Sequence, residues 1–545
     1  MVALCAALGP WVGCYEGVHR SPGNDTIPDD GEGDDGVDPE AGQGGVSALF
    51  LLTRRELGNT MEDLLGTEPL RPADVQPDQV VGGFASVGAS VHSLSALGVE
   101  QWDSVALDAV DEIFEDAAAR VDWVGCEPAA VDDACATEYF SSVGLRAWRR
   151  PLSDEELTRY VELAQETSAM FDDDPWEGLR YATYGLLSSP NFLYRLHRGE
   201  ADPSRPGHRR LTAYELASKL SYALTQSTPD LSLLEAAQAG TIHDDSELEL
   251  QAERLLGSSA ATEALAGFCR ENFSLTPLPL LSRDASVIDE LPSTLLQDMQ
   301  QESEQFCVQG IRSGDARSMF LAEQTALGPE LASHYGMPAE GPGVQTVTLT
   351  ELSDRVGIMT SAGLLTVMAH SDRTSPTLRG QFVRVRLLCQ EIPSPPDDAL
   401  VELEPISDEP SSLRDRLEQH RTDPACSGCH SLMDPIGFGL EHYDAVGRYR
   451  ELDAGFAIDA SGELDGTSFD GAAELSSAIV EHPDFGRCIT RQWFQFAQSR
   501  AFRDTDAAAL LELTEGLVGS GFDMEALMVD LVLSDSFRTL ASEEG

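Results

Sequence analysis

Lysine is almost absent from this sequence. Lys219 is the single lysine, and the 36 basic residues stand against 93 acidic residues, so the formal net charge is -57. Such a surface repels the phosphate groups of nucleic acids and the headgroups of anionic lipids. The charge therefore argues against nucleic-acid binding and against membrane attachment through a basic patch.

Long apolar runs are also absent. The amino-terminal run, residues 2–14, is shorter than the roughly 20 residues that a membrane-spanning helix needs, and no later segment is both long and uncharged. The run resembles the signal and lipobox of a bacterial lipoprotein with Cys14 as the acylated residue, although no Arg or Lys precedes it. We therefore expect export to the periplasm or cell surface, with a lipid anchor as the only membrane contact.

The common motifs of hydrolases and nucleotide-binding proteins are missing. No GxSxG, HExxH or phosphate-binding glycine-rich loop stands in a credible context. A carboxylate pair for glycoside cleavage stays open, because the acidic residues are too numerous to single one out. Whether the protein is an enzyme is left open at this point.

One short motif does indicate a specific chemistry, the pentapeptide Cys426-Ser427-Gly428-Cys429-His430. Cysteines three residues apart can each form a thioether to a haem vinyl group, and the histidine that follows can bind the iron. The pattern predicts one covalent haem c. The alternatives are a CxxC disulfide or dithiol and half of a zinc site, but zinc needs a second ligand pair, and the chain has no other CxxC and no HxxxH.

The axial ligands of this haem can be predicted only in part. His430 is the proximal iron ligand, and we expect a carbonyl or carboxylate to orient its second ring nitrogen. Met433 is too close to His430 on the same helix to reach the other face of the haem. We predict His370 as the distal ligand, with Met368 and His442 as alternatives. An open position, which permits oxygen or peroxide chemistry, is also compatible.

The remaining cysteines suit an oxidising compartment. Once the signal and haem cysteines are set aside, an even number is left, as expected of an exported protein. Buried thiols are the alternative for the middle pair. Of the fifteen connectivities that six cysteines allow, we predict the pairs Cys126 with Cys135, Cys269 with Cys307, and Cys389 with Cys488.

The fold is predicted to be mainly α. Capping boxes begin helices at Thr53, Ser153 and Thr212, and alternating strand-like runs are scarce. Only a ribbon at 344–350 and a hairpin at 456–469 are expected as β-structure. The chain is therefore predicted to form multidomain helical bundles with a few short β-hairpins and a carboxy-terminal cytochrome c-like haem segment.

Composition and turn residues divide the chain into seven segments. Residues 15–45 are acidic and rich in Gly and Pro, and they indicate a disordered tether rather than a calcium loop, since the acids lack EF-hand spacing. Residues 397–409 indicate an extended connector. The predicted segments are a signal and lipobox at 1–14, the tether at 15–45, helical domains at 46–120, 121–200 and 201–340, a haem-motif domain at 341–455, and a hairpin with helices at 456–545.

Two further features have open interpretations. Arg373, Arg379, Arg384 and Arg386 form a basic island that either neutralises haem propionates and docks an anionic donor or, as we favour, pairs with nearby acids. Residues 435–438 form either a turn that lines a haem edge or a plain helix stop.

Several stretches together resemble a known family. They are LTRREL (52–57), NT (59–60), DLLG (63–66), RRPLS (149–153), SPNFLYR (189–195), YELASKLSY (214–222), DRTSP (372–376), RG (379–380) and DPIGFGLE (434–441). The chain resembles the multidomain cytochrome-like proteins, abundant in planctomycetes, that consist of successive domains of unknown function 1587, 1595, 1592, 1588 and 1585. The resemblance implies a periplasmic or surface c-type cytochrome segment and no settled reaction.

These observations favour an exported c-type haem protein. It is expected to act in electron transfer or as the haem subunit of an envelope oxidoreductase. Because the chain has one CxxCH, any relay of electrons needs a redox partner of unknown identity. The alternative is a non-enzymatic cell-envelope binding or structural protein in which Cys426 and Cys429 form a structural disulfide.

Overall fold

The computed structural model describes residues 48–66, 74–338, 341, 343–352, 355–393, 412–421 and 424–540. In these residues the chain is mainly α-helical, as predicted. The predicted signal with Cys14, the acidic tether and the connector at 397–409 lie outside the described residues. None of the helices in the described part is both long enough and apolar enough to cross a membrane.

The first thirteen helices precede residue 313. Several begin at the capping boxes seen in the sequence: Thr53, Ser153 and Thr212 each accept a backbone N–H, and the glutamate three residues later accepts the N–H of the capping residue. The helices are α1 Arg54–Leu65, α2 Ala85–Ala89, α3 Ala96–Glu115, α4 Ala117–Val124, α5 Ala134–Trp148, α6 Asp154–Ser168, α7 Pro175–Leu187, α8 Pro190–Leu193, α9 Ala213–Thr225, α10 Leu231–Ala239, α11 Asp245–Leu256, α12 Ser259–Asn272 and α13 Ser293–Arg312.

Eleven further helices follow in the described part of the chain. A π-helical turn, Val383–Leu387, continues α17, and a 3-10 turn, Phe438–Leu440, follows α19. The helices are α14 Ser318–Leu321, α15 Pro329–His334, α16 Ala362–Val367, α17 Pro376–Phe382, α18 Leu413–Arg421, α19 Pro424–Gly437, α20 Gly471–Glu481, α21 Pro483–Gln498, α22 Ala507–Gly519, α23 Met524–Leu533 and α24 Asp535–Arg538.

The described strands are short and pair only antiparallel. β5 pairs with β6 in a ribbon, and β6 lies inside the predicted range 344–350. β9 pairs with β10 in a hairpin that begins inside the predicted range 456–469 and ends one residue beyond it. β1 pairs with β2, β7 pairs with β8, and β4 lies between β3 and β11. The strands are β1 Ala48–Leu51, β2 Tyr194–His197, β3 Glu200–Ala201, β4 Arg209–Arg210, β5 Gln324–Leu327, β6 Gln345–Thr348, β7 Leu452–Asp453, β8 Phe456–Ala457, β9 Ser461–Leu464, β10 Thr467–Asp470 and β11 Thr539–Leu540.

Two large hydrophobic cores organise the helices. The first lies among α1 and α3 to α8, where the rings of Trp102 and Phe192 stack with centroids 5.6 Å apart. The second combines α9 to α13 with α16, α17 and α20 to α23, and in it Phe268 meets Trp493 edge to face. Ile436, near the end of α19, belongs to the second core, so the helix that carries the CxxCH motif is anchored there.

Among the described residues, three disulfides join the pairs predicted from the sequence. Cys126 is bonded to Cys135, Cys269 to Cys307, and Cys389 to Cys488. The middle pair lies inside the second core, where both cysteines have no exposed surface. The buried-thiol alternative for that pair is therefore wrong.

The single lysine is buried. On α9, the Nζ of Lys219 donates a hydrogen bond of 2.7 Å to the carbonyl oxygen of Phe537 and lies 4.3 Å from the centroid of its ring. Burial lowers the pKa of Lys219 well below its usual value. Lys219 therefore connects α9 to the carboxy-terminal segment and contributes nothing to the exposed surface charge.

A buried glutamate gives the second core a pH-dependent component. Glu302 on α13 is 1% exposed, and its Oε2 accepts hydrogen bonds from the hydroxyl of Tyr335 and the N–H of Ala362. Burial raises the pKa of Glu302 from 4.5 to about 7. Because the folded state binds the proton more tightly, the stability that Glu302 contributes is full below pH 4.5 and is lost as the pH rises through about 7.

We therefore expect Glu302→Gln, which mimics the protonated side chain, to gain stability relative to the wild type as the pH rises. Between about pH 5 and pH 8 the difference in unfolding free energy should shift by roughly 2 to 3 kcal/mol in favour of the variant. Urea denaturation of both proteins at several pH values measures this shift. Parallel pH profiles would contradict the assignment.

Candidate functional site: the CxxCH helix

The CxxCH motif lies on α19. Cys426 and Cys429 are one helical turn apart, so they occupy the same side of the helix. Both are half-buried and neither is in a disulfide. The Sγ of Cys429 is 3.1 Å from the carbonyl oxygen of Pro393, to which it donates. The helix therefore presents two thiols on one face, the arrangement that attachment of one haem at two vinyl groups requires.

His430 is held by a carboxylate. Its Nδ1 lies 3.0 Å from Oδ2 and 3.2 Å from Oδ1 of Asp434, one turn later on α19. Asp434 has no exposed surface, and its Oδ1 also accepts a hydrogen bond of 2.8 Å from the hydroxyl of Thr377 on α17. A carboxylate on Nδ1 favours the tautomer that leaves the Nε2 lone pair available for a metal. His430 thus has the kind of partner expected of a metal-binding histidine.

Two glycines bring α17 and α19 into direct backbone contact. A Cβ at Gly380 would overlap the carbonyl oxygen of Met433, and a Cβ at Gly437 would overlap that of Pro376. The close crossing places Thr377 against Asp434. It also explains in physical terms why glycine stands in both the RG and the DPIGFGLE stretches.

Residues 435–438 do not form a turn. α19 continues through Pro435 to Gly437 before the 3-10 turn begins, and Ile436 and Phe438 are buried. The prediction of a turn over this segment is therefore wrong, whereas its position at a haem edge stays a prediction. The helix-stop alternative is closer, because the α-helix ends at Gly437.

We expect Gly380→Ala to destabilise the protein by roughly 1 to 3 kcal/mol, because the added methyl group forces the two helices apart. The matched control is Gly428→Ala on α19, where a Cβ meets no atom within 4 Å. That change should be neutral or stabilising by about 0.5 to 1 kcal/mol, since alanine favours helix more than glycine does. Urea denaturation followed by circular dichroism compares them, and equal stabilities would refute the role of Gly380.

The four arginines of the basic island bind other groups of the same protein. Arg379 is fully buried and forms an ion pair of 2.9 Å with Glu441. The favoured pairing interpretation is thus confirmed for the first three arginines, while the fourth binds backbone carbonyls. The contacts are Arg373 with Asp372, Arg379 with Glu441, Arg384 with Asp465, and Arg386 with the carbonyls of Gly82, Glu271 and Asn272.

The distal candidates lie in different surroundings. His370 is exposed in the loop between α16 and α17, whereas Met368 is 5% exposed and belongs to the second core. His442 stacks on Tyr449, and its Nδ1 lies 3.0 Å from the carbonyl oxygen of Arg450. The assignment of His370 as distal ligand stays a prediction. Among the described residues no three His, Cys, Asp or Glu side chains are grouped as they would be around a metal ion.

The roles of Asp434 and Thr377 were not predicted from the sequence. The signal for Asp434 was present, because residues four apart on a helix are neighbours, and a histidine followed four residues later by aspartate can form this contact. Thr377 is separated from Asp434 by 57 residues. Its role depends on the crossing of α17 and α19, which the local sequence does not reveal.

Five family models match successive parts of the chain, and each is described as a protein of unknown function. The chain belongs to this multidomain family. The CxxCH motif lies in the DUF1588 range, and each matched range falls inside one of the predicted segments, whose boundaries stay predictions. No curated protein and no solved structure matches the chain. The matches are DUF1587 at residues 51–115, DUF1595 at 135–196, DUF1592 at 211–337, DUF1588 at 355–453 and DUF1585 at 465–537.

Proposed function

We propose that this family member is an exported c-type haem protein that acts in electron transfer or as the haem subunit of an envelope oxidoreductase. The observation that carries the proposal is the contact between Nδ1 of His430 and the buried carboxylate of Asp434, on the same helix as the two thiols. A CxxC that serves only as a disulfide has no need of a histidine oriented in this way. The residues present therefore fit a covalent haem.

The roles of the residues follow from their chemistry. Cys426 and Cys429 would hold the porphyrin through thioethers, and Nε2 of His430 would bind the iron. Asp434 holds the imidazole proton on Nδ1, and Thr377 holds Asp434 in place. When bound, haem supplies reversible one-electron chemistry at its iron. With one CxxCH in the sequence, a separate redox partner would deliver or remove the electron.

Location outside the cytoplasm is part of the proposal. Three disulfides among the described residues support it, because structural disulfides persist in oxidising compartments such as the periplasm. Covalent attachment of haem to cysteines belongs to the same compartments in bacteria. Lipid anchoring at Cys14 is the corresponding proposal for the membrane contact.

The decisive experiment is expression together with cytochrome c maturation machinery, followed by denaturation. We expect one haem to stay attached to each chain and to give a pyridine haemochrome spectrum. Cys426→Ala with Cys429→Ala should abolish the attached haem, whereas Cys126→Ala with Cys135→Ala should retain it. If no pigment survives denaturation and peptide mapping finds Cys426 bonded to Cys429, the alternative of an envelope binding or structural protein replaces this proposal.

Two variants probe the axial ligands. Asp434→Asn should keep the haem but raise its reduction potential, because an amide makes the imidazole of His430 less electron-donating than a carboxylate does. His370→Ala should alter the ferric absorption spectrum if His370 is the distal ligand. An unaltered spectrum would remove His370 from the site.

A further inference from the structure

A surface cavity of about 330 Å³ lies far along the chain from the CxxCH motif. Three segments line it: the end of α5 with the two residues that follow, the stretch from α8 to Gly199, two residues beyond β2, and the start of α9 with its capping residue Thr212. These segments contain the family stretches RRPLS, SPNFLYR and the beginning of YELASKLSY. The cavity is therefore lined by residues of both the DUF1595 range and the DUF1592 range. These residues include family stretches that have no role in the haem proposal.

The lining of this cavity is cationic in a strongly acidic chain. Arg149, Arg150, Arg195 and Arg198 line it, together with a single acid, Glu215. The carboxylate of Glu215 is engaged by backbone N–H groups, since it accepts hydrogen bonds from Arg198, Gly199 and Thr212. It forms the cap of α9, and its single negative charge offsets only part of the positive charge of the four arginines.

Two of the four arginines have carboxylate partners. Arg150 forms two hydrogen bonds with Glu156, and Arg195 forms a buried ion pair of 3.1 Å with Glu56. Their charges are therefore balanced inside the protein. Both side chains still line the cavity and fix its shape.

The other two arginines, Arg149 and Arg198, have no carboxylate partner among the described residues. Arg149 is 3% exposed and donates to the backbone carbonyls of Asn191, Phe192 and Tyr194, which do not neutralise it. Arg198 is exposed, and within the described residues its guanidinium has no hydrogen bond or ion pair. A buried cation held rigidly beside an available one is suited to binding an anion, because guanidinium groups match carboxylates in geometry and charge.

The rest of the lining suits a sugar. Trp148, Tyr194 and Tyr214 supply aromatic surface, and Thr212, Ser218 and Asn191 supply groups that can hydrogen-bond hydroxyls. The volume is at the small end of the range of ligand pockets and fits one or two sugar rings. We infer that this cavity binds a small carboxylate-bearing sugar of the hexuronate class.

The test is titration of the full-length protein with D-glucuronate by calorimetry. We expect saturable binding of one molecule per chain that weakens as salt is added, because the attraction is partly electrostatic. D-Glucose at the same concentration should not bind. Absence of saturable binding of D-glucuronate at concentrations up to about 10 mM would overturn the inference.

Variants locate the site. Arg198→Ala should weaken D-glucuronate binding about 10- to 100-fold, the usual value of a hydrogen bond to a charged group. Arg254→Ala is the matched control, because Arg254 is an arginine on α11 that pairs with Asp230 and does not line the cavity. Equal affinity of the two variants would overturn the assignment, and tighter binding of glucose 6-phosphate than of D-glucuronate would overturn the carboxylate class.

This inference is independent of haem. Binding is measured on the polypeptide whether or not haem is attached, so a failure to attach haem and a failure to bind D-glucuronate are separate results. Circular dichroism of Arg198→Ala should match that of the wild type, because no described residue depends on this guanidinium.

Discussion

Replacing Arg379 with methionine should lower the free energy of unfolding by about 3 to 5 kcal/mol, the usual cost of removing one partner from a buried ion pair. Arg379 has no exposed surface, and its guanidinium donates to the carboxylate of Glu441 and to the carbonyls of Leu440, Tyr443 and Asp444. The substitution leaves these backbone acceptors without their donor. Glu441 retains Arg450, which is 23% exposed, as its remaining cationic partner.

The measurement is chemical denaturation, with Arg254→Ala as the control. Arg254 also forms an ion pair, with Asp230, but both side chains are more than a third exposed, so its loss should cost at most about 1 kcal/mol. The comparison separates the effect of burial from the effect of removing an arginine. Equal losses in the two variants would show that Arg379 does not hold the segment that follows α19.

Arg379 also bears on the haem proposal. It lies on α17, the helix that supplies Thr377 to Asp434, and it fixes residues 440–444 directly after the helix that carries His430. One interpretation of the basic island was that its arginines neutralise haem propionates. In the structure Arg379 binds residues 440–444 and Arg384 binds the carbonyl oxygen of Leu432 on α19, so these two arginines hold the surroundings of α19 in place.

The sequence predicted most of what depends on local interactions. The capping boxes at Thr53, Ser153 and Thr212 were confirmed because each involves residues only three apart. The mainly helical fold was confirmed because helical periodicity is a local pattern. The spacing of Cys426, Cys429 and His430 likewise singled out one segment without reference to the fold.

Features that depend on distant contacts were not predictable from the sequence. The pairing of Thr377 with Asp434 requires the crossing of two helices at glycines whose close approach has no local signature. Pro435 was expected to mark a turn or the end of a helix, but α19 includes Pro435 and ends two residues later, at Gly437. The cationic cavity takes residues from three separate segments, so Arg149, Arg150 and Arg195 appeared in the sequence only within unconnected family stretches, and Arg198 appeared in none of them.

The disulfides allow a second large effect to be predicted. Cys389 and Cys488 are 99 residues apart, whereas Cys126 and Cys135 are 9 apart. In the chain-entropy model a cross-link stabilises by restricting the unfolded chain, by about 4.7 kcal/mol for the long loop and about 2.7 kcal/mol for the short one. Cys389→Ala with Cys488→Ala should therefore destabilise the protein by about 2 kcal/mol more than Cys126→Ala with Cys135→Ala.

Urea denaturation of both double variants under non-reducing conditions measures this difference, and equal losses would contradict the entropic explanation. The long loop also encloses α19, so the Cys389–Cys488 bond closes the chain around the CxxCH motif and fixes residue 389 to α21. Because the bond restricts the unfolded chain and supplies no side chain to His430, its removal should lower stability while leaving haem attachment intact at temperatures where the variant is folded. Loss of haem from a folded variant would mean that this disulfide positions α19 directly.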